Sequence, residues 1–250
     1  MKAMIFAAGL GTRLKPLTET LPKALVPVAG KPLLFHVMQR LATFGYDDFV
    51  VNVHHFPDAI IKYLKNPDVA VEGRRIAVSD ERALLRETGG GIRYARPLLE
   101  GSGTFLVHNV DILSDIDLAW FRAQARPQAI STILVSERKT QRYLLFDDDM
   151  RLVGWTNLAT GEVRSPYGNI DVQKYRMLAF SGIHCMSDSI FDAFDKEKVG
   201  DRFPIIDFYV SVCDRYPVYG VCPKELRILD VGKVDTLAKA EEMLRELQQE

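Results

Sequence analysis

Short apolar segments alternate with amphipathic ones through the first half of the chain, and this alternation narrows the possible folds more than any other feature. Lys2 to Ala7, Phe49 to Val53 and Thr104 to His108 are predicted as strands. Apolar residues from about Pro32 to Phe44 recur at helical spacing, and Gly45 suits the position after the last turn. Strands that alternate with helices are typical of βα units on a parallel sheet. We therefore predict an α/β fold with a doubly wound, mixed and mostly parallel sheet.

The second half differs, because a hairpin pattern interrupts the alternation. Tyr143 to Phe146 and Arg151 to Trp155 flank three aspartates, and Asn157 to Asn169 is rich in turn residues. We interpret this stretch as a small β insertion at the sheet edge. One domain is predicted over 1–250, with a first half at 1–135, a second half at 136–232 and a closing helix at 233–250. The other predicted helices are Asp58 to Lys65, Thr88 to Leu99, Leu118 to Arg126, Ser189 to Phe194 and Ile205 to Asp214, and the other predicted strands are Arg75 to Val78, Ile130 to Val135, Met177 to His184, Val218 to Cys222 and Leu226 to Asp230.

The charge balance excludes several classes of partner. The 250 residues include 32 lysines and arginines against 33 aspartates and glutamates, for a formal net charge of −1. Proteins that bind nucleic acid or an anionic membrane usually carry a basic excess, so neither partner is expected. No run approaches the roughly 18 to 20 apolar residues of a membrane helix. The three cysteines have neither disulfide-framework nor zinc-site spacing, and a reducing cytoplasm is the expected location.

A glycine-rich loop follows the first predicted strand directly. Gly9 and Gly11 allow the backbone to approach a bound phosphate chain closely, and Arg13 adds charge-assisted hydrogen bonds. A dinucleotide fingerprint would require a third glycine where Leu14 stands, and the eight-residue P-loop pattern is absent. The loop therefore predicts polyphosphate binding, with a ligand-free βα turn as the alternative.

One lysine and two aspartates stand at positions suited to the same chemistry. Lys23 follows a proline and lies between apolar neighbours, so its ammonium is held in one direction. Asp111 ends an apolar strand that also carries Asn109, and Asp230 ends another. Ligands of open α/β sheets bind where strands end, and two carboxylates with substrate phosphates are a typical Mg²⁺ site. Either aspartate alone is equally compatible with a helix cap or a turn.

The run Gly9-x-Gly11-Thr12-Arg13-Leu14-x-Pro16-Leu17-Thr18, followed by Pro22-Lys23-Ala24-Leu25-Val26-Pro27-Val28, resembles the signature of sugar-1-phosphate nucleotidylyltransferases. That family has a Rossmann-like nucleotidyltransferase fold and usually a proline where Ala24 stands. The resemblance implies that the first half binds a nucleoside triphosphate and the second half a sugar 1-phosphate. It places the triphosphate on Ala8, Gly9, Gly11, Thr12 and Arg13, and the α-phosphate on Lys23. The implied catalytic residues are Arg13, Lys23, Asp111 and Asp230, and the two aspartates hold Mg²⁺.

Two further stretches resemble one branch of the family. Glu87-Thr88-Gly89-Gly90-Gly91-Ile92 and Phe180-Ser181-Gly182-Ile183 are most similar to the N-acetylmuramic acid 1-phosphate uridylyltransferases of bacterial cell-wall recycling. The resemblance implies that Thr88, Gly89, Gly90 and Asn109 bind the nucleotide, with the glycine backbone pressed against the flat base. It implies that Ser181 and Gly182 face the sugar. The central lysine of larger members is missing, and Arg138 or Lys139 is expected to replace it.

The implied reaction transfers a nucleotidyl group from a nucleoside triphosphate, with UTP favoured, to a sugar 1-phosphate, with N-acetylmuramic acid 1-phosphate favoured. Guanylyl or cytidylyl transfer to another sugar 1-phosphate or to phosphocholine is the alternative with the same fold. A regulatory relative that binds nucleotide-sugar without turnover is the alternative from another class. Retention of all four implied catalytic residues favours an enzyme. The sequence leaves the oligomeric state open.

Overall fold

A computed structural model describes residues 1–66 and 74–247, in which a ten-stranded mixed sheet forms the centre. The strands are β1 (Lys2–Phe6), β2 (Pro27–Val28), β3 (Lys31–Pro32), β4 (Asp48–Val53), β5 (Arg75–Asp80), β6 (Thr104–Asn109), β7 (Ile112–Ser114), β8 (Ser131–Ser136), β9 (Arg142–Phe146), β10 (Leu152–Asn157), β11 (Glu162–Arg164), β12 (Arg176–Ser187), β13 (Val218–Val221) and β14 (Ile228–Asp230). The helices are α1 (Leu33–Thr43), α2 (Pro57–Leu64), α3 (Glu87–Tyr94), α4 (Arg96–Leu99), α5 (Leu118–Ala123), α6 (Ser189–Lys196), α7 (Ile205–Val212) and α8 (Leu237–Leu247). Short 3₁₀ turns cover Thr12–Leu14, Leu17–Glu19, Lys23–Leu25, Val172–Lys174 and Val234–Thr236.

The sheet combines a parallel part with an antiparallel extension. Strands β5, β4, β1 and β6 run parallel in that order, with Met4 of β1 paired to Val50 of β4 and to Val107 of β6. The long strand β12 then joins β6 in the antiparallel sense and also pairs with β8 and β9. Strand β13 lies parallel to β8, and β9, β10 and β11 form an antiparallel edge. The predicted mixed sheet and its β insertion are therefore present.

Helices cover both faces of the sheet because the inner strands are apolar on both faces. Side chains alternate along a strand, so Ile5 and Leu106 enter one core while Met4 and Val107 enter the other. The first core also holds the apolar faces of α1, α2, α5 and α8, and the second holds those of α3, α4, α6 and α7. This two-sided covering is the predicted doubly wound arrangement.

Most predicted elements are present with ends shifted by one to three residues. The predicted helix from Thr88 to Leu99 is instead two helices, because Pro97 lacks the N–H that a continuous helix requires. The predicted closing helix begins as a 3₁₀ turn, α8 ends at Leu247, and 248–250 lies outside the described residues. The pattern analysis missed the short strands β2, β3, β7 and β11, which have too few residues to show alternation. The predicted boundaries at residues 135 and 232 stay predictions. Strand β12 pairs with β6, which precedes residue 135, and with β9, which follows it, so the sheet continues across that boundary.

No helix within the described ranges is long and apolar enough to cross a membrane.

A polar chain crosses the second core. The Tyr209 hydroxyl donates to Ser131 Oγ at 2.9 Å and therefore accepts from His184 Nδ1 at 3.1 Å. All three residues are almost completely buried. Burial, together with the neighbouring His108, lowers the pKa of His184 from 6.5 to about 3. The imidazole is therefore held neutral in the folded protein.

This lowered pKa predicts a loss of stability in mild acid. As the pH falls below 6.5 the unfolded chain protonates His184, whereas the folded chain does not until about pH 3. The free energy of unfolding should thus fall between pH 6.5 and 5, by up to about 2 kcal/mol from this residue. Urea unfolding at pH 7.5 and pH 5 measures the difference. His184→Gln should reduce this pH dependence without abolishing it, because burial also lowers the pKa of His108 to about 4. Equal slopes in wild type and His184→Gln would contradict the assignment.

Candidate active site

The glycine-rich loop leaves β1 and turns sharply over the carboxyl edge of the sheet. The Ala7 N–H donates to Asn52 Oδ1 at 2.8 Å, which fixes where the loop begins. Gly11 has a φ of +65°, and a Cβ there would lie 2.8 Å from Thr18 Cγ2. The Thr18 hydroxyl donates to the Gly11 carbonyl at 2.8 Å. Only glycine meets both the conformational and the steric requirement at residue 11. At residue 9, by contrast, an added Cβ would face open space.

The two aspartates meet because a short antiparallel ladder joins the segments that carry them. Asp111 immediately precedes β7, and Asp230 ends β14. In the β7–β14 pair Asp230 lies opposite Ile112, and the Val231 N–H donates to the Asp111 carbonyl at 2.8 Å. Two aspartates that are far apart in sequence are thereby placed on neighbouring backbone segments.

Each of these acids lies against a basic residue. Lys23 Nζ forms an ion pair with Asp111 Oδ2, and both side chains are largely buried. Arg13 Nη2 lies 3.4 Å from Asp230 Oδ2 in a more exposed setting. A Cβ at residue 232 would lie 2.5 Å from both Arg13 Nη2 and Asp230 Oδ1, so Gly232 is what allows this approach. The four residues expected to be catalytic thus form one alternating cluster of charges.

One oxygen of this cluster is left without a hydrogen-bond partner in the described structure. Asp230 Oδ1 is buried and receives no donor, a costly condition for a carboxylate oxygen. Hard divalent cations prefer such oxygens, so Asp111 and Asp230 are chemically suited to hold Mg²⁺. No group of three or more His, Cys, Asp or Glu side chains comes together within the described ranges, so a cation here would rely on these two carboxylates and on substrate phosphates.

A pocket of about 400 Å³ opens beside the charge cluster. It receives residues from the glycine loop, from the end of β6 and from the start of α3. The expected site residues that line it are Ala8, Gly9, Lys23, Thr88, Asn109 and Asp111. Thr12 and Arg13 lie exposed on the loop outside its wall. The cluster and the pocket together provide basic groups for phosphates and an enclosed space for a flat group.

The start of α3 forms part of the wall of this pocket. Glu87 and Thr88 both line it, and within the described residues no acceptor binds their N–H groups. Glu87 adopts a φ of +59°, which is unusual for a residue other than glycine, and its carboxylate bonds Arg202 Nε at 3.0 Å. The Thr88 hydroxyl accepts from the Ile205 N–H at 2.9 Å. Free N–H groups at a helix N-terminus suit the carbonyl oxygens of a base.

The prediction that Gly89 and Gly90 press against the base is wrong. Their N–H groups donate to the Phe203 carbonyl at 2.9 and 3.2 Å, and neither residue lines the pocket. A Cβ on Gly89 would overlap the Phe203 ring, and one on Gly90 would overlap the Asp201 carbonyl. These glycines let α3 contact the segment 201–203 closely. A valine at residue 90 would therefore displace this segment rather than enter the base pocket.

Two polar residues at the pocket, Asn52 and Glu81, were not predicted from the sequence. Asn52 Nδ2 donates to Glu81 Oε1 at 2.8 Å while Asn52 Oδ1 accepts from the loop, so Asn52 links the two. Glu81 is only 1% exposed, and its burial raises the pKa of its carboxyl group. A Cβ on Gly91 would lie 2.9 Å from Glu81 Oε1. An asparagine within the apolar strand Val50-Val51-Asn52-Val53 was the available signal, because a buried amide requires partners.

The residues expected to bind sugar phosphate lie near a bulge in β12. The register of β12 against β8 shifts between Phe180 and His184, and Gly182 has a φ of +78°. A Cβ on Gly182 would lie 2.7 Å from Ile112 Cγ1 and 3.1 Å from Asn109 Nδ2, next to the nucleotide side of the site.

Ser181 and Arg138 differ in how they face this region. The Ser181 hydroxyl is buried and donates to Ser136 Oγ at 3.3 Å, so only its main chain could reach a ligand. Arg138 is exposed, and its Nη2 donates to the Phe180 carbonyl at 3.0 Å.

Comparisons with known proteins identify the family. The profile of the nucleotidyl transferase family matches residues 2–150. The N-acetylmuramate alpha-1-phosphate uridylyltransferase of Caulobacter vibrioides is 49% identical over 109 residues, which cover 44% of this chain and 45% of that protein. The protein of the same name from Neisseria meningitidis serogroup B is 37% identical over 208 residues, covering 82% of this chain and 84% of that protein.

A solved structure has the same architecture. HddC from Yersinia pseudotuberculosis, complexed with GMP-PN, superposes with a TM-score of 0.74 at 21% identity, covering 97% of this chain and 99% of that one. At this identity the likeness concerns the fold, which is the Rossmann-like nucleotidyltransferase fold. The family match and the relatives lead to one conclusion: the chain belongs to the nucleotidyl transferase family and is a sugar-1-phosphate nucleotidylyltransferase.

Proposed function

We propose that the protein transfers uridylyl from UTP to N-acetylmuramic acid 1-phosphate, giving the nucleotide-sugar and pyrophosphate, with Mg²⁺ as cofactor. The observation that carries the proposal is the cluster of Lys23, Asp111, Arg13 and Asp230 at the mouth of the pocket. The names of the relatives from Caulobacter vibrioides and Neisseria meningitidis support the choice of substrates. A role in cell-wall recycling in the cytoplasm follows from that choice.

In this proposal the triphosphate lies along the glycine loop. Gly9 leaves room for the phosphates, and Arg13 and Lys23 supply positive charge beside them. The uracil enters the pocket and accepts hydrogen bonds from the N–H groups of Glu87 and Thr88. Asn109 and Gly182 mark the boundary where the acceptor phosphate approaches.

The reaction forms one bond and breaks one. An oxygen of the sugar 1-phosphate attacks the α-phosphorus, and the bond from that phosphorus to the bridging oxygen of pyrophosphate breaks. Lys23 offsets charge on the α-phosphoryl group and Arg13 offsets charge on the leaving pyrophosphate. Mg²⁺ held by Asp111 and Asp230 would supply additional positive charge to the phosphates. Orientation and charge stabilisation do most of the work, so no protein nucleophile is required.

A second candidate keeps the reaction and changes the substrates. HddC was solved with GMP-PN, so the fold also accommodates a guanine nucleotide. Guanylyl transfer to another sugar 1-phosphate is therefore the alternative to test directly, along with cytidylyl transfer to phosphocholine.

Turnover should require Mg²⁺ or Mn²⁺ and both aspartates. Asp111→Asn and Asp230→Asn should each lower kcat by about 100-fold or more. Each change removes a negative charge that would hold the cation and that pairs with Lys23 or Arg13. Pyrophosphate release measures the loss. Asp148→Asn, the same change in an exposed turn, should retain activity. Undiminished turnover in excess chelator would contradict the metal assignment.

The absence of a nucleophilic step predicts sequential kinetics. Double-reciprocal plots should intersect, and no nucleotidylated protein should accumulate when UTP is supplied without acceptor. Mass spectrometry of the intact chain checks the second point. A mass increase of one uridylyl group would overturn this mechanism.

The proposed contacts of the base with the Glu87 and Thr88 main chain predict a preference for UTP over purine nucleotides. A purine that leaves polar groups of the pocket unpaired should cost about 1 to 3 kcal/mol, or roughly 5- to 150-fold in kcat/KM. UTP should exceed ATP and GTP when N-acetylmuramic acid 1-phosphate is the acceptor. A screen of five nucleotides against several sugar 1-phosphates and phosphocholine decides this. GTP with mannose 1-phosphate as the best pair would refute the proposed substrates and keep the reaction class.

A further inference from the structure

A second cavity, of about 640 Å³, adjoins the nucleotide pocket, and Pro204 lines both. Phe180, which begins the β12 bulge, also lines the second cavity. A molecule whose phosphate lies near Gly182 could thus extend from the reaction centre into this space. The cavity is the natural location for the part of the acceptor beyond its phosphate.

The β insertion forms the floor of this cavity. In the antiparallel register Arg142 lies opposite Asn157 and Leu144 opposite Trp155. Strand β11 extends the same rows with Glu162 and Arg164. Because cross-strand partners and alternate residues share a face, all six side chains belong to one face, and all six line the cavity.

The charges on this surface do not balance locally. The Arg164 guanidinium lies 4.0 Å from the centre of the Trp155 ring. It forms ion pairs with both carboxylates that line the cavity, Asp207 at 3.0 Å and Glu162 at 3.6 Å. Among the described residues no carboxylate lies within 4.0 Å of the guanidinium of Arg142. Arg138 lies at the same cavity, also without a carboxylate partner there, and donates to the Phe180 carbonyl.

We propose that Arg142 is a specificity-determining residue that binds a carboxylate on the acceptor sugar, distinct from the 1-phosphate. The guanidinium offers two parallel N–H donors that match a carboxylate. A neutral sugar would leave this cation unpaired, whereas an acidic sugar would pair with it. The inference rests on the proposed function, because N-acetylmuramic acid differs from N-acetylglucosamine only by a lactyl ether that carries such a carboxylate.

The pair of acceptors makes a direct test possible. Pyrophosphate release at saturating UTP gives kcat and KM for N-acetylmuramic acid 1-phosphate and for N-acetylglucosamine 1-phosphate. Arg142→Gln should raise KM for the first about 10- to 100-fold with little change in kcat, and should leave the second unchanged. Arg142→Lys should fall between, since it keeps the charge and loses the paired donors. Arg245→Gln, on the exposed face of α8, is the matched control and should behave as wild type.

The outcomes separate the two levels of the proposal. A fall in the preference for N-acetylmuramic acid 1-phosphate that is confined to the Arg142 variants supports the inference. Turnover of both acceptors with the same preference in wild type and Arg142→Gln overturns it and leaves the proposed function intact. Equal losses on both acceptors overturn it as well, since they indicate a general structural role. If wild type turns over neither acceptor with any nucleotide, the proposed function fails and this inference falls with it.

Discussion

The organisation of the site depends on the ladder between β7 and β14. These two strands have only three residues each, yet they hold Asp111 and Asp230 together through the bond from Val231 N–H to the Asp111 carbonyl. The repulsion between the two carboxylates is offset by Lys23, which pairs with Asp111, and by Arg13, which pairs with Asp230. The ladder also carries Gly232 into the position where Arg13 can approach. A few backbone hydrogen bonds thus determine the local electrostatics.

The glycine loop depends on a similar use of main-chain contacts. Asn52 ties the first N–H of the loop to the buried Glu81, and Thr18 ties the loop back on itself at Gly11. The loop packs through Leu14, which is completely buried in the first core, but Gly9 and Gly11 contribute no side chains to packing. Asn52 of β4 and Glu81, which directly follows β5, supply polar groups that hold this loop in place.

The sequence was informative where chemistry is local and less so where packing decides. The glycine loop, Lys23 and the strand-end aspartates could be identified because each combines a residue type with a strand end or a turn. The triple glycine was misinterpreted, because a glycine marks a close approach without naming what approaches; here it is Phe203 and Asp201. Strand β7 could not be predicted, because three residues are too few to show the alternation of apolar and polar side chains that is typical of a strand. The orientation of Ser181 into the core depends on the β12 bulge, which has no local signal apart from Gly182.

The segment from Asp201 to Ile205 joins the two halves of the active site physically. Its Phe203 carbonyl accepts from the N–H groups of Gly89 and Gly90, and its Ile205 N–H donates to the Thr88 hydroxyl. Pro204 lines both cavities. The nucleotide pocket and the second cavity are therefore not independent modules. Grafting α3 from a relative to change the nucleotide would also move a wall of the cavity in which we propose that the acceptor sugar lies. Redesign of this enzyme for a new nucleotide-sugar would have to treat α3 and residues 201–205 as one unit.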